Sequence, residues 1–180
     1  PHPDTNQIQA AAEKIKSSKQ PIIISGGGVL YSEAEKELSD FAKKHNIPVT
    51  STVMGLGCMD NDDPYYIGNI GGLGDRSCNN LSKDTDLALA VGTKLADFTT
   101  GSWSNFENED FKLVSINTAR YDVTKHRSTP VVSDAKIGFQ ELSKALGDWK
   151  APDIWFERAI KERTDWKSYV EKQSGPTNQE

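Results

Sequence analysis

The sequence predicts a doubly wound α/β domain with a six-stranded parallel sheet in the order 3-2-1-4-5-6. An unbroken apolar run, Pro21–Ser25, leads into the triplet Gly26–Gly28 and then into a charged helical pattern. An apolar strand without alternation is typical of a parallel sheet that is covered on both faces. Further strands alternate with helices at a spacing that favours right-handed crossovers. We therefore expect a single Rossmann-like domain.

The predicted elements follow one another as in such a sheet, each strand ending near glycine or a polar residue. They are a helix from Asp4 or Thr5 to about Ser18, a strand at Pro21–Ser25, a helix at Ser32–His45, strands at 47–52 and 66–70, a short helix at 75–81, strands at 86–91, 113–117 and 131–133, and helices at 135–146 and 154–169.

Two local signals set the ends of the second helix. Ser32 and Glu35 have the spacing of a capping box, which predicts that the helix begins just after the glycine triplet. His45, followed by Asn46, is expected to close the same helix through a favourable interaction with its dipole.

Composition excludes several classes of function. The chain has 180 residues and a net charge of −5, with no long basic run, so we expect neither a nucleic-acid partner nor a membrane partner. The residues around Pro1 lack the apolar segment of a signal peptide. Cys58 and Cys78 stand far apart, without a nearby histidine, so neither a zinc site nor a disulfide framework is indicated. A reducing, cytoplasmic setting is expected.

Gly26, Gly27 and Gly28 are candidate ligand-binding residues, because glycines after a first strand can bring backbone amides close to a phosphate. The dinucleotide fingerprint is incomplete, since Tyr31 stands at the position of its third glycine. The second strand also ends without an acidic residue for a ribose. A tight turn without any ligand is the alternative, and an ordinary NAD-dependent dehydrogenase is not expected.

Three further segments could border a ligand. The loop Gly68–Gly74, with Gly72 and Gly74, precedes a predicted helix start, and Arg76 could add a charge for a phosphate. The alternative is a loop that packs closely on the sheet. The run Thr99–Trp103 follows a predicted strand and could line a pocket or simply pack on protein.

Catalytic chemistry is not indicated by the residue pattern. The three histidines, His2, His45 and His126, have no serine motif or zinc-ligand spacing near them. The carboxylates are scattered on helical faces. We therefore predict no catalytic residue and no metal ligand in this chain.

The glycine turn after Pro21–Ser25, the loop Gly68–Gly74 and the run Val91–Leu95 together resemble the central domain of thiamine-diphosphate-dependent enzymes. The resemblance covers nearly the whole chain. Ile24–Ala34 and Asp97–Trp103 are similar, more narrowly, to the trihydroxycyclohexanedione hydrolase branch of that family, which acts in myo-inositol degradation. In that branch, the resemblance implies hydrolytic cleavage of a carbon–carbon bond in a cyclic 1,2-diketone.

The resemblance also implies that other domains of the parent enzyme bind the cofactor. Thiamine diphosphate and Mg²⁺ would be bound by flanking pyrimidine- and diphosphate-binding domains of a homo-oligomeric parent enzyme, and this part alone would be inactive. Residues 1–4 would be a linker, 5–150 the Rossmann-like central domain, 151–172 a C-terminal helix and 173–180 a second linker.

Some members of the family hold FAD or ADP in this domain, often through an acidic residue after the fifth strand, where this chain has Asn117. The candidate nucleotide cleft, which would be vestigial in this chain, therefore comprises Gly26, Gly27, Gly28, Gly72, Gly74 and Asn117. One alternative function is FAD or ADP binding, either as the central domain of an acetolactate-synthase-like enzyme or as a stand-alone module of the same fold. A sirtuin-like or deoxyhypusine-synthase-like NAD enzyme is another, although the zinc-binding cysteine pairs and histidine motif of sirtuins are missing.

Overall fold

A computed structural model describes residues 1–174. Its six strands form one parallel sheet in the order β3-β2-β1-β4-β5-β6, which confirms the predicted topology. The strands are β1 (Pro21–Ser25), β2 (Val49–Ser51), β3 (Tyr66–Asn69), β4 (Leu87–Val91), β5 (Lys112–Asn117) and β6 (Thr129–Val132).

The helices include three short ones that the sequence analysis did not separate. They are α1 (Thr5–Lys16), α2 (Gly27–Tyr31), α3 (Glu35–His45), α4 (Arg76–Asp84), α5 (Asp97–Thr100), α6 (Arg120–Thr124), α7 (Ala135–Leu146) and α8 (Asp153–Gln173). Helix α8 ends at Gln173, the first residue of the predicted second linker, and residues 175–180 of that linker lie outside the described part. Within residues 1–174, no helix has the length and apolarity needed to cross a membrane.

Strand β1 is buried on both faces, and this explains why it is apolar throughout. Ile23 packs in a core cluster with α1, α3 and α7. Ile22 and Ile24 point to the opposite face, into a second cluster with α4 and α8. Side chains alternate along a strand, so an unbroken apolar run supplies both cores at once.

The capping box predicted at Ser32 and Glu35 is wrong. Helix α2 begins directly at the glycine triplet, with Gly26 as its N-cap, and α3 begins at Glu35 after Ala34. The hydroxyl of Ser32 instead donates to the Asp134 carboxylate, at a distance of 2.7 Å. The Ser32 hydroxyl therefore bonds to a residue 102 positions away along the chain and does not cap a helix.

The electrostatic interpretation of His45 is also wrong. Its ring is buried, with Nδ1 2.7 Å from the Trp149 carbonyl oxygen and Nε2 3.1 Å from the Ser143 hydroxyl. Burial lowers the pKa of His45 by more than the hydrogen bond to Trp149 raises it. Asn46, in the left-handed conformation, ends the helix.

A close backbone contact joins the end of β1 to the end of β4. An added Cβ would lie 2.4 Å from the Gly92 carbonyl oxygen if placed on Gly26, and 2.6 Å from the Gly92 Cα if placed on Gly28. Gly92 itself has φ +62°, which side chains rarely adopt. These three positions therefore require glycine for packing, independently of any ligand.

Gly27 differs from its two neighbours. Gly27 begins a right-handed helix and is not among the positive-φ glycines, so its backbone conformation does not require glycine. An added Cβ would lie 3.0 Å from the Met54 carbonyl oxygen, which is tight but less severe than at Gly26 or Gly28.

We expect Gly28→Ala to lower the free energy of unfolding by about 1–3 kcal/mol, because the methyl group forces two backbones apart. The midpoint of urea unfolding measures this loss. Gly72→Ala is the matched control, since its Cβ would meet only the edge of the exposed Phe98 ring, at 3.3 Å. Equal midpoints for the two variants would contradict the packing role of Gly28.

We also expect stability to fall on acidification because of His45. In the unfolded chain the pKa of His45 is about 6.5, whereas burial gives the ring a lower pKa in the folded chain. The contribution of His45 is therefore complete above that pH and is lost as the pH falls toward the folded pKa, with a limiting slope of about 1.4 kcal/mol per pH unit. Urea unfolding of wild type and His45→Gln between neutral and mildly acidic pH measures the difference, and parallel pH profiles would refute it.

Candidate functional site

A cavity of about 810 Å³ lies at the carboxyl edge of the sheet. Its walls come from the segments that follow all six strands, with Ile70 as the contribution after β3. The chain leaves β1 and β4 toward opposite sides of the sheet, so a crevice opens between them. Ligands of doubly wound proteins commonly bind in such a crevice.

The structure brings only part of the predicted cleft together. Gly27, Gly28 and Asn117 line the cavity. Gly26, Gly72 and Gly74 are absent from its lining, and the loop that carries the last two instead packs near Phe98.

The amides of the first glycine turn are largely engaged within the protein. The N–H of Gly26 donates to the Val91 carbonyl at 2.8 Å, and the N–H of Gly28 donates to the Gly92 carbonyl at 3.0 Å. Both bonds fasten the turn to the end of β4. A phosphate that used these two amides would have to displace backbone hydrogen bonds.

The amides of the second glycine loop are engaged in the same way. Gly72 donates to the Phe98 carbonyl at 2.9 Å, and Gly74 donates to the Gly71 carbonyl at 2.8 Å. The side chain of Arg76 is exposed and is not part of the cavity lining. This loop is therefore built as a packing element against the residues that follow β4.

The side-chain amide of Asn117 is also hydrogen-bonded within the protein. Its Nδ2 donates to the Thr93 carbonyl at 3.3 Å, and its Oδ1 accepts from the amide of Ala119 at 3.1 Å. The side chain thereby links the ends of β4 and β5 and shapes one wall of the cavity. Either hydrogen bond would compete with a bond to a ribose hydroxyl.

The charges of the cavity do not favour a strongly anionic ligand. Asp134 caps α7, where its Oδ1 accepts from the amides of Lys136 and Ile137 at 2.9 and 3.4 Å. The Asp134 carboxylate therefore occupies the N-terminus of α7, which would otherwise attract a phosphate. Asp122 adds a second carboxylate and pairs with Lys125 at 2.8 Å, while Lys94 is the cationic side chain of the lining.

The sequence analysis missed most of the apolar lining. Val53 and Met54 follow β2, and Phe98 follows β4, and all three line the cavity although they are substantially exposed. The signal was available, because each lies just after a strand whose carboxyl end meets this edge. Of the run Thr99–Trp103, only Thr99 reaches the cavity, whereas Trp103 packs on His126 with ring centroids 4.5 Å apart.

The described residues include neither a metal-ligand cluster nor an activated thiol. Within residues 1–174, no three His, Cys, Asp or Glu side chains are grouped so as to hold a metal ion. Burial raises the pKa of both thiols, most strongly at Cys78, so both remain protonated at neutral pH. Protonated, buried thiols are poor nucleophiles.

Two comparisons with known proteins, one with family models and one with curated proteins, indicate the same family. Residues 8–142 match the family model described as "Thiamine pyrophosphate enzyme, central domain". Proteins named 3D-(3,5/4)-trihydroxycyclohexane-1,2-dione hydrolase are 34% identical over 92% of the chain in Clostridium perfringens, 46% over 73% in Clostridium botulinum and 37% over 82% in Geobacillus thermodenitrificans.

The matched segments cover 26%, 20% and 23% of these three relatives, so the chain spans about a quarter of their length. The family match agrees with the resemblance drawn from the glycine turn and the Val91–Leu95 run. The fold, with its six parallel strands and crevice, is also the one that the resemblance implied. The chain therefore belongs to the thiamine pyrophosphate enzymes, as their central domain.

Proposed function

We propose that this chain is the structural central domain of a thiamine-diphosphate-dependent hydrolase that cleaves a carbon–carbon bond of a cyclic 1,2-diketone in myo-inositol degradation. The observation that carries the proposal is the similarity to trihydroxycyclohexanedione hydrolases, at 34% identity over 92% of the chain. In the parent enzyme, the domain would space the two cofactor-binding domains and contribute contacts between subunits.

The residues of the described part do not fit thiamine diphosphate. The diphosphate of this cofactor needs a divalent cation, and hard cations are held by several oxygen ligands, mainly carboxylates. No suitable group of side chains occurs within residues 1–174, and the glycine amides described above donate to backbone carbonyls. We therefore assign no step of the reaction to this domain, and we attribute cofactor binding to the flanking domains.

An FAD- or ADP-binding role is the second candidate, and the cavity itself favours it. A volume of about 810 Å³ at the crevice suits a nucleotide in size. The engaged amides of Gly26 and Gly28, together with the carboxylate of Asp134, weigh against the phosphates. We infer that any nucleotide is held weakly or not at all.

We expect the 180-residue chain to show no saturable heat when it is titrated with thiamine diphosphate and Mg²⁺. The full-length parent enzyme should bind the cofactor under the same conditions. Isothermal titration calorimetry makes both measurements. Micromolar binding by the chain alone, which corresponds to about −8 kcal/mol, would contradict the structural role.

The substrate is tested on the full-length enzyme. With thiamine diphosphate and Mg²⁺, the parent should hydrolyse trihydroxycyclohexane-1,2-dione to an open-chain acid, which titration of the released proton can follow. A parent that binds the cofactor but leaves this diketone intact would refute the hydrolase assignment, while the family membership would stand.

We expect FAD and ADP, each at about a millimolar, to leave the melting temperature of the chain unchanged. A ligand at 100 times its dissociation constant would add about 2.7 kcal/mol, which is a shift of several degrees for a domain of this size. Differential scanning fluorimetry suits ADP, and calorimetric melting avoids the fluorescence of FAD. A shift of several degrees, or nucleotide retained through purification, would favour the binding module instead.

A further inference from the structure

Helices α3 and α7 pack side by side on one face of the sheet and bring a serine into contact with a histidine. Near the helix starts, Gln140 of α7 donates to the Glu37 carboxylate of α3 at 3.3 Å. Near the helix ends, the hydroxyl oxygen of Ser143 lies 3.1 Å from Nε2 of His45. These two residues are 98 positions apart along the chain, so local sequence patterns give no sign of the contact.

The backbone carbonyl of Trp149 fixes which nitrogen of the neutral His45 ring carries the proton. Nδ1 lies 2.7 Å from this carbonyl oxygen, which can only accept a hydrogen bond. The proton therefore belongs on Nδ1, and Nε2 keeps a free electron pair that accepts from the Ser143 hydroxyl. A nucleophile bonded to a base, with the base oriented by a third group, is the arrangement that activates a serine.

The charges around this contact favour removal of the hydroxyl proton. The Lys44 ammonium group donates to Ser143 Oγ at 3.1 Å, and a cation at this distance stabilises negative charge on the oxygen. Burial lowers the pKa of His45, and Lys44 and Lys150 add to the lowering. The ring is therefore neutral at neutral pH, which is the form that can accept a proton.

A groove of about 300 Å³ between α3 and α7 gives a small molecule a place beside this serine. Ser143 is half-buried and forms part of the groove lining. Phe41 and Phe139 also line the groove, with ring centroids 5.3 Å apart, and they supply an apolar surface. Lys44 and Lys144 add two ammonium groups to the lining. The groove therefore suits a small apolar group that carries an electron-rich oxygen near the lysines.

We propose that Ser143 is an acyl-accepting nucleophile with His45 as its general base, and that small activated esters are its substrates. In the reaction, Ser143 Oγ forms a bond to the acyl carbon, and its proton passes to His45 Nε2. The bond from the acyl carbon to the leaving oxygen breaks, and that oxygen receives the electron pair and the proton that His45 returns. Water then hydrolyses the acyl-serine to a carboxylic acid and restores the hydroxyl group.

This activity is separate from the proposed function of the domain. The groove lies between two helices, whereas the cavity described above lies at the carboxyl edge of the sheet. Within residues 1–174, the two linings have no residue in common. Acylation of Ser143 therefore does not depend on thiamine diphosphate or on the reaction of the parent enzyme.

The test uses the full-length parent enzyme without thiamine diphosphate, and phenylmethanesulfonyl fluoride as the probe. This small aromatic reagent sulfonylates activated serines irreversibly: the serine oxygen bonds to sulfur and fluoride leaves. We expect mass spectrometry of the digested protein to locate the adduct on Ser143. Ser17 is the control serine, because it is exposed and its hydroxyl donates to the Lys14 carbonyl at 2.7 Å rather than to a base. Ser17 should stay unlabelled.

His45→Gln distinguishes an activated serine from one that is only accessible. The glutamine amide can accept from Ser143 and donate to the Trp149 carbonyl, but it cannot take up a proton. We expect the labelling rate of Ser143 to fall about 100-fold, which is the lower end of general-base catalysis. Hydrolysis of p-nitrophenyl acetate should also slow in His45→Gln and in Ser143→Ala, whereas Ser17→Ala should keep the wild-type rate. Circular dichroism establishes that each variant is folded.

Two results would overturn the proposal. If the wild-type parent carries no adduct on Ser143, or labels Ser17 equally, the contact between Ser143 and His45 serves only to pack α7 against α3. This measurement needs no variant, so a substitution that prevents folding cannot obscure it. If a folded His45→Gln protein labels Ser143 at the wild-type rate, the histidine is not the base.

Discussion

The backbone of Gly28 lies so close to that of Gly92 that a single methyl group on either would collide with the other residue. This contact occurs where β1 and β4, the two central strands, leave the sheet toward opposite sides. The hydrogen bonds from Gly26 and Gly28 to the carbonyls of Val91 and Gly92 fix the two chain segments together. The start of α2 and the segment after β4, which both line the crevice, are held together at this junction.

Much of the fold was predictable because its signals are local. The five consecutive buried residues of β1 require a sheet covered on both faces, and α1 and α7 end within two residues of the predicted limits. The errors arose where a distant residue decides the outcome. Ser32 bonds to Asp134 rather than capping a helix, and His45 is enclosed by Ser143 and Trp149, about a hundred positions away.

The position of the site was predictable from the sequence, but the hydrogen bonding of its glycine amides was not. Sequence reasoning put Gly27, Gly28 and Asn117 at the carboxyl edge, where they do line the cavity. It did not reveal that the amides of Gly26 and Gly28 already have backbone acceptors, since those acceptors lie on a strand some 65 residues later. A glycine cluster that serves close backbone packing and one that binds phosphate look alike until the partner segment is known.

The most direct measurement is the structure of the full-length parent enzyme with thiamine diphosphate and Mg²⁺ bound. We expect the diphosphate and the metal to contact other parts of the chain, and no residue of the Gly26–Gly28 turn or the Gly71–Gly74 loop to touch them. A direct bond from either glycine segment to the diphosphate would contradict the assignment of this domain as a structural one.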